Sequence, residues 1–289
     1  MRIALFGGEC YYCQLPRIKE GILQLNHTID QINPEIIYSN DPEHFDQAIK
    51  LKKDTGAFLI LNILDIPWHI QEFNQIVEKW KNKLQFADAV TTISHTVKND
   101  LETLINRKVN VIFNPVKDVN YNKDLTKKNI FLYVGRANDI NKRINLVFET
   151  LNYIQNGLNL IKICGTENPG FGNYLGLVSD IDLNILYNTS KFLFLPSKNE
   201  GIGLPMIEAM ICGAIPISCS DNRTTLEFSP KEFICEPNAQ SILNKIIELN
   251  NNYEKFQKLS LEYGQKYKNQ FNKLNIAKNI INVYEQYKK

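Results

Sequence analysis

The chain has 289 residues, of which 44% are hydrophobic, and a formal net charge of +2 at pH 7. This length can bury two hydrophobic cores of ordinary size. The near-neutral charge excludes a dominant electrostatic attraction to nucleic acid or membrane. No run approaches the roughly 20 apolar residues of a membrane span, so we expect no transmembrane segment.

The chain opens with a pattern typical of a nucleotide-binding α/β fold. Residues 2–6 predict a short strand, Gly7 and Gly8 follow it, and residues 16–25 predict a helix. A glycine loop between a strand and a helix lets the backbone come close to a ligand. The opening therefore predicts a Rossmann-like first domain.

The same loop contains Cys10 and Cys13, spaced as C-x-x-C. This spacing occurs in thioredoxin-like redox pairs, but no other feature of the chain suggests that fold, and we favour coincidence. The remaining cysteines lie in apolar strand or helix segments and predict buried free thiols: Cys164, Cys212, Cys219 and Cys235. Since no metal-ligand spacing or secretion signal is present, we expect a reducing, cytoplasmic compartment.

The rest of the first half predicts more strands, with one helix cap. Ser94 precedes a helical pattern over 97–105 and suits the capping position. The predicted strands cover residues 35–38 and 57–63. The stretch 77–83, VEKWKNK, is basic and holds a tryptophan. It is either a solvated helix face, which we favour, or a peripheral contact with an anionic membrane.

A basic loop opens the second half. Residues 130–134 predict a strand, which is followed by Gly135, Arg136, Lys142 and Arg143. Two fixed cations beside a helix N-terminus can bind a strongly charged anion and neutralise its charge. An ordinary solvated basic loop is the alternative.

The most informative stretch is 187–217. It predicts a buried strand over 192–195, a glycine loop, a helix over 206–212 and a return strand. Ligands of parallel sheets bind beyond the carboxyl ends of the strands, where helix N-termini favour anions. Glu200 lies in the loop. Glu208 is expected on the first turn of the helix, where its carboxylate can accept hydrogen bonds from ribose hydroxyls. Ordinary surface charge is the alternative for both glutamates.

A D-x-D pattern at Asp180 and Asp182 could indicate a metal site. Ser179 stands immediately before a helical pattern, with Asp182 three residues further on. This is the arrangement of a capping box. We therefore predict a helix cap and no metal site.

Residues 131–228 resemble the donor-binding domain of the retaining glycosyltransferase family 4, which has the GT-B architecture. The family segment reads roughly P-S-x-x-E-G-F-G-L-P-x-x-E-A-M-A-x-G-x-P-V. This sequence has Ile202 where the family has an aromatic residue. It matches the segment at Pro196, Ser197, Glu200, Gly201, Gly203, Leu204, Pro205, Glu208, Ala209, Met210, Gly213 and Pro216. The resemblance implies an α/β GT-B fold, with two Rossmann-like domains whose parallel sheets face each other across a cleft.

The resemblance also implies roles for individual residues. Glu200 would lie near the transferred sugar, and Glu208 would hold the ribose. Arg136 and Lys142 would bind the donor diphosphate, as in the family pattern V-G-R-x-x-x-x-K-G. Because this loop is one residue longer and Arg143 stands where glycine is common, the choice between Lys142 and Arg143 stays open. The other implied donor contacts are Gly8, Gly135, Gly165, Gly201, Gly203, Leu204, Thr224 and Thr225.

The acceptor side departs from the family. Relatives commonly carry a histidine after the strand predicted here at 57–63, but this chain has Leu64 there. Asp65 matches the neighbouring acid, and His69 is a candidate substitute; a merely exposed histidine is the alternative. We expect a first domain over 1–118, a donor-binding domain over 119–275, and a final helix over 276–289 that packs back on the first domain. The first domain is short for the family, which suggests an open site for a large acceptor.

Together these features predict a metal-independent, retaining glycosyltransferase without a cofactor. Its donor would be a nucleoside-diphosphate sugar, and its acceptor a glycan, a lipid-linked sugar or a nucleic acid. One alternative is a GT-B remnant that binds a nucleotide-sugar or glycan without turnover. Another is an epimerase or phosphorylase of the same fold, although the additional acids or lysine site that such enzymes need are not evident.

Overall fold

The computed structural model describes residues 1–8, 14–64, 66 and 73–288. The chain forms two compact units. Unit 1 consists of Met1–Pro115 together with Gln270–Lys289, and unit 2 consists of Val116–Asn269. Each unit contains a six-stranded sheet in which every described strand pair is parallel. The predicted α/β class with two parallel sheets is confirmed.

Unit 1 has the strand order β2-β1-β3-β4-β5-β6. Its strands are β1 Arg2–Phe6, β2 Thr28–Ile29, β3 Ile36–Ser39, β4 Phe58–Ile63, β5 Ala89–Thr92 and β6 Asn110–Val111. Its helices are α1 Leu15–Gln24, α2 Phe45–Thr55, α3 Phe73–Leu84, α4 His95–Ile105 and, from the end of the chain, α11 Lys273–Tyr287. A 3-10 turn, Pro42–His44, precedes α2.

Helices cover both faces of the unit 1 sheet. Alternate strand residues enter separate cores, as the two-residue period of a strand requires. Ile3, Ile36 and Ile60 lie in the core that also contains α1 and α11 residues. Ala4 and Ile37 lie in the opposite core, with residues of α2, α3 and α4. The strands are therefore apolar on both faces, as in other buried parallel sheets.

The last helix, α11, packs against α1. Gly21 lies at this contact, and a Cβ added there would overlap the backbone carbonyl of Lys273. Lys273 Nζ also pairs with Glu20 at 2.8 Å. The absence of a side chain at Gly21 is what lets the two helices approach so closely.

The tryptophan of the basic stretch 77–83 does not form a surface anchor. Trp80 is only 8% exposed and packs in the core of unit 1. The neighbouring lysines make ion pairs on the helix surface, Lys81 with Glu78 and Lys83 with Asp46. The favoured interpretation, a solvated helix face, agrees with this geometry. Among the described residues, no helix combines the length and hydropathy needed to cross a membrane.

Unit 2 has the strand order β12-β11-β10-β7-β8-β9. Its strands are β7 Lys128–Val134, β8 Ile161–Cys164, β9 Asn173–Gly176, β10 Ser190–Leu195, β11 Ile215–Cys219 and β12 Ile234–Cys235. Its helices are α5 Ile144–Asn152, α6 Asp180–Thr189, α7 Leu204–Ile211, α8 Arg223–Phe228, α9 Ala239–Asn251 and α10 Tyr253–Gln270, whose last residue belongs to unit 1. The central strands β7 and β10 are adjacent, so the loops that follow them meet at one edge of the sheet.

Candidate functional site

The stretch 187–217 folds as its pattern predicts. Strand β10 ends at Leu195, a loop follows, α7 begins at Leu204, and β11 returns. Gly203 has φ +81°, and a Cβ there would come within 3.0 Å of the Leu195 side chain. Gly213 adopts φ +70° after the helix, as expected for a left-handed helix end. The backbone conformation at Gly203 and at Gly213 therefore favours glycine at both positions.

The centre of the site is an ion pair between two loops. Lys142, after β7, places Nζ 2.5 Å from Oε1 of Glu200, after β10. The side chains are only 20% and 12% exposed, so water screens the pair less than it would a surface salt bridge. Because Lys142 has three N–H donors and Glu200 engages one, the ammonium can still donate to a bound anion.

The side chain of Asn141 holds these two loops together. Its Nδ2 donates to the carbonyl of Asn199 at 2.8 Å, and its Oδ1 accepts from the Asn199 amide at 2.9 Å. The backbone carbonyl of Asn141 accepts from the Lys198 amide at 2.9 Å. The two bonds to Asn199 join residues that are the immediate chain neighbours of Lys142 and Glu200. Sequence reasoning missed Asn141, since an asparagine in a polar loop carries no distinguishing signal.

The structure assigns different partners to the cations of the basic loop. Arg136 is exposed and donates to Asp139 at 2.7 Å. Arg143 makes a two-pronged pair with Asp221, with distances of 2.9 Å and 2.5 Å, and these bonds raise the pKa of Arg143. Of the alternatives left open, Lys142 meets Glu200, and Arg143 meets Asp221.

The backbone conformation of Arg143 is one that favours glycine, the residue that is common at this position in the family. It has φ +48° and ψ +45°, in the left-handed region. Glycine enters this region without strain, whereas an L side chain is disfavoured there. The backbone at this position turns the loop into α5.

Glu208 lies in the second turn of α7, not in the first, because the helix begins at Leu204. It is 4% exposed. Its Oε1 accepts from the Lys117 amide at 3.0 Å, and its Oε2 accepts from the Tyr187 hydroxyl at 2.9 Å. The two bonds orient a buried carboxylate, a group whose two oxygens together offer about four lone-pair sites for hydrogen bonds. Tyr187 and Lys117 were not predicted, because their contacts with Glu208 span long stretches of chain.

The two glycines at the ends of β7 and β8 pack against each other. A Cβ on Gly165 would overlap the carbonyl of Gly135. The Gly135 amide donates to the carbonyl of Cys164 at 3.0 Å. The two backbones therefore pass closely at the carboxyl edge, and a role of Gly165 toward the nucleotide base stays a prediction.

The loop after β11 is tied to the motif loop through Asn222. This buried residue caps α8 by accepting from the Thr225 amide at 3.2 Å, and its Nδ2 donates to the carbonyl of Ser197 at 3.0 Å. Thr224 and Thr225 are both buried. The Thr225 amide already donates to the side chain of Asn222. A diphosphate bound at this loop would therefore contact other groups of the loop.

The D-x-D pattern forms the predicted helix cap. Ser179 Oγ accepts from the Asp182 amide at 3.1 Å and donates to the Asp182 carboxylate at 2.6 Å. Asp180 pairs with Lys117 at 2.6 Å. In the described part of the chain, no group of three or more His, Cys, Asp or Glu side chains is arranged to hold a metal ion.

In unit 1, the carboxyl edge of the sheet is organised around Asp41. Its carboxylate accepts from the amide of Gly8 at 3.2 Å and lies 2.6 Å from Nδ1 of His44. Neither Asp41 nor His44 was predicted. The acceptor-side candidates Asp65 and His69 lie outside the described residues, as do Cys10 and Cys13.

The second half of the chain matches a known protein family. The chain belongs to the family described as Glycosyl transferases group 1, whose model matches residues 117–270. The matched region corresponds closely to unit 2, which carries the Lys142–Glu200 pair and Glu208.

Two curated relatives match part of the chain. The O-antigen chain mannosyltransferase RfbU of Salmonella typhimurium is 32% identical over 149 residues, which cover 46% of this chain and 42% of the relative. The O-antigen chain mannosyltransferase B of Escherichia coli is 31% identical over 117 residues, covering 40% of this chain and 30% of the relative. The matches thus span less than half the length of these relatives.

Solved structures share the fold over nearly the whole chain. HepE of Anabaena, solved in complex with UDP and glucose, has a TM-score of 0.76 and 14% identity, covering 99% of this chain and all of that one. Sucrose-phosphate synthase of Thermosynechococcus elongatus has a TM-score of 0.82 and 16% identity, covering 99% and 98%. This likeness establishes the GT-B fold class.

Proposed function

We propose that the protein is a retaining, metal-independent glycosyltransferase. It transfers a hexose from a nucleoside-diphosphate sugar to a hydroxyl group of a glycan or another large acceptor. The observation that carries this proposal is the shielded Lys142–Glu200 pair at the carboxyl edge of the unit 2 sheet, beside the motif helix. Family membership and the two O-antigen mannosyltransferase relatives support it, and they make mannose the first sugar to test.

Four charged side chains, those of Lys142, Arg136, Glu208 and Glu200, take part in the proposed reaction. Lys142 and Arg136 stabilise the negative charge that develops on the departing nucleoside diphosphate. Glu208, already oriented by Tyr187, accepts hydrogen bonds from the ribose hydroxyls. Glu200 orients the donor sugar, and its contact with Lys142 couples the sugar to the diphosphate.

The acceptor hydroxyl attacks the anomeric carbon on the face from which the diphosphate departs. The glycosidic bond to phosphate breaks as the new bond to the acceptor oxygen forms. The departing phosphate oxygen takes the acceptor proton, so the products are a glycoside with retained configuration and a nucleoside diphosphate. Fixed cations supply the charge stabilisation that a metal would otherwise provide.

The cellular setting is proposed from the thiols. The four cysteines that the structure describes are free and buried, as predicted. Free thiols persist in reducing compartments, where disulfides are rare. We therefore place the reaction in the cytoplasm, and contact with a membrane-borne acceptor remains compatible with it.

The test is an assay of donor cleavage and transfer with UDP-, GDP-, ADP-, CDP- and dTDP-sugars in EDTA. Simple glycosides, including mannosides, serve as acceptors. We expect one donor to release its nucleoside diphosphate, at a rate that rises with an acceptor, and proton NMR to show an unchanged anomeric configuration. Inversion would refute the retaining mechanism, and dependence on Mg²⁺ or Mn²⁺ would refute metal independence. Tight donor binding without cleavage would identify a binding module instead.

A further inference from the structure

The loop after β8 holds a carboxylate with a partnerless oxygen. Oε2 of Glu167 is buried, and no residue in the described part of the chain makes a hydrogen bond with it. Buried polar atoms in native proteins are nearly always hydrogen-bonded, and an exception calls for a functional explanation. A carboxylate accepts hydrogen bonds only, so the group that suits Glu167 is a donor.

Glu167 belongs to the same edge of unit 2 as the proposed donor site. It follows Gly165 by two residues, at the carboxyl end of β8, which lies next to β7. Burial is the main factor that raises the pKa of Tyr133 on β7, and the carboxylates of Glu200, Asp139 and Glu167 raise it further. The carboxylates of Glu167 and Glu200 thus both raise the pKa of the Tyr133 hydroxyl.

The base of the Glu167 loop is fixed. The Gly165 amide donates to the carbonyl of Gly176 at 3.0 Å, and the Tyr174 hydroxyl donates to the carbonyl of Gly165 at 3.0 Å. Both bonds join the start of the loop to β9. A carboxylate presented from such an anchored turn can recognise a ligand without ordering a long segment.

Nucleobases differ in the pattern of hydrogen-bond donors and acceptors that they present to a carboxylate. Uracil and thymine present a single N–H between two carbonyl oxygens, which repel a carboxylate. Adenine and cytosine present an amino group next to a ring nitrogen that only accepts. Guanine presents two donors side by side, the ring N1–H and the N2 amino group. A two-pronged, charge-assisted pair with a carboxylate is therefore available to guanine alone among these bases.

We propose that Glu167 recognises the base of the donor nucleotide and that this base is guanine. This inference rests on the proposed function, because it assigns the nucleotide of the same donor site. The donor is then a guanosine-diphosphate sugar, and the carboxylate of Glu167 accepts from guanine N1–H and N2–H.

Calorimetric titration with GDP, IDP and UDP tests the assignment. Inosine lacks only the N2 amino group of guanine, so comparing IDP with GDP isolates one hydrogen bond. For the wild type, we expect GDP to bind about tenfold more tightly than IDP and more tightly still than UDP. In Glu167→Gln, an amide N–H faces one of the guanine donors, and GDP binding should weaken by about tenfold or more. The ratio of GDP to IDP affinity should then fall to about one.

Glu149→Gln is the matched control, since Glu149 is an exposed glutamate on α5 of the same unit. It should bind all three nucleotides like the wild type. Glu167→Asp provides a second variant, which keeps the charge but withdraws the carboxylate and should lose part of the preference for GDP. Thermal unfolding of each variant separates loss of recognition from loss of folding.

The outcomes distinguish this inference from the proposed function. UDP binding as tightly as GDP, unchanged in Glu167→Gln, would overturn the guanine assignment and leave the glycosyltransferase proposal intact. A GDP preference that survives in Glu167→Gln would overturn the role of Glu167. If no nucleoside diphosphate bound to the wild type, the proposed function and this inference would both be overturned.

Discussion

Both sheets have six parallel strands, in different orders, and their carboxyl edges are built from different chemistry. In unit 2 the edge carries charged pairs between loops, Lys142 with Glu200 and Arg143 with Asp221. In unit 1 the strand ends carry a buried network of neutral side chains, in which Thr91 donates to Asn62 and Tyr38 donates to Asn40, and beside it the Asp41 carboxylate lies 2.6 Å from Nδ1 of His44. Neutral networks specify a fold without binding charge. Among the described residues, the lysine and arginine side chains that pair between strand-end loops thus lie in unit 2.

The largest effect is expected from removing the cation at the centre of unit 2. Lys142→Met should lower kcat by about 10²- to 10³-fold, the size typical of losing one group that stabilises transition-state charge. Steady-state rates with the active donor measure it. Lys198→Met, an exposed lysine in the facing loop, is the control and should retain wild-type kcat. Equal losses in the two variants would contradict a specific role for Lys142.

A second test addresses the helix contact that closes unit 1. Gly21→Ala forces a methyl group against the carbonyl of Lys273, and such overpacking should destabilise the protein by about 1–3 kcal/mol. Urea unfolding, followed by circular dichroism, measures the change. Lys19→Ala, at an exposed position of the same helix, should stay near wild type. An unchanged unfolding midpoint in Gly21→Ala would show that α11 does not pack tightly on α1.

The Asn141 bridge should affect catalysis more than stability. Asn141→Ala removes two side-chain hydrogen bonds to Asn199 and leaves Lys142 and Glu200 less well oriented. We expect kcat to fall about tenfold, and Asn141→Asp, which keeps the acceptor, to recover part of the loss. Asn145→Ala, at an exposed position in α5, is the control. A loss of stability that fully accounts for the lower activity would argue against positioning.

The smallest expected effect concerns the helix cap at the D-x-D pattern. Ser179→Ala should cost about 1 kcal/mol of stability through loss of the N-cap bond to Asp182. Differential scanning calorimetry with and without Mn²⁺ checks this prediction. A metal-dependent rise in melting temperature that disappears in Asp182→Asn would contradict the cap interpretation and restore the metal alternative.

Local patterns predicted much of the fold. Strand β4, expected over 57–63, forms at Phe58–Ile63, and the helix expected over 97–105 forms as α4, His95–Ile105. The two-residue strand β2 was not predicted, because it is defined by pairing with β1 and has no pattern of its own. Propensity and periodicity are local properties, whereas short edge strands depend on tertiary contacts.

The same distinction applies to the site. Glu200, Lys142 and Glu208 were singled out from residue type, motif spacing and the family resemblance, and their roles toward a ligand stay predictions. Asn141 and Glu167 were not, because the features that single them out exist only in the fold: a bridge to Asn199, 58 residues further along the chain, and a buried oxygen without a partner. Sequence patterns thus single out charged residues in a motif, whereas a hydrogen-bonded bridge between distant loops and an unpartnered buried oxygen are visible only in the three-dimensional arrangement.

The central claim is that the carboxyl edge of unit 2 binds a nucleoside diphosphate through fixed protein groups. Its most direct test is calorimetric titration in EDTA of the wild type and of Glu208→Ala with GDP and with UDP. We expect at least one of the two nucleotides to bind saturably to the wild type. Glu208→Ala should bind the same nucleotide at least about tenfold more weakly, because it loses the carboxylate that is proposed to accept from the ribose hydroxyls. Absence of binding to the wild type, or equal affinities in the two proteins, would contradict it.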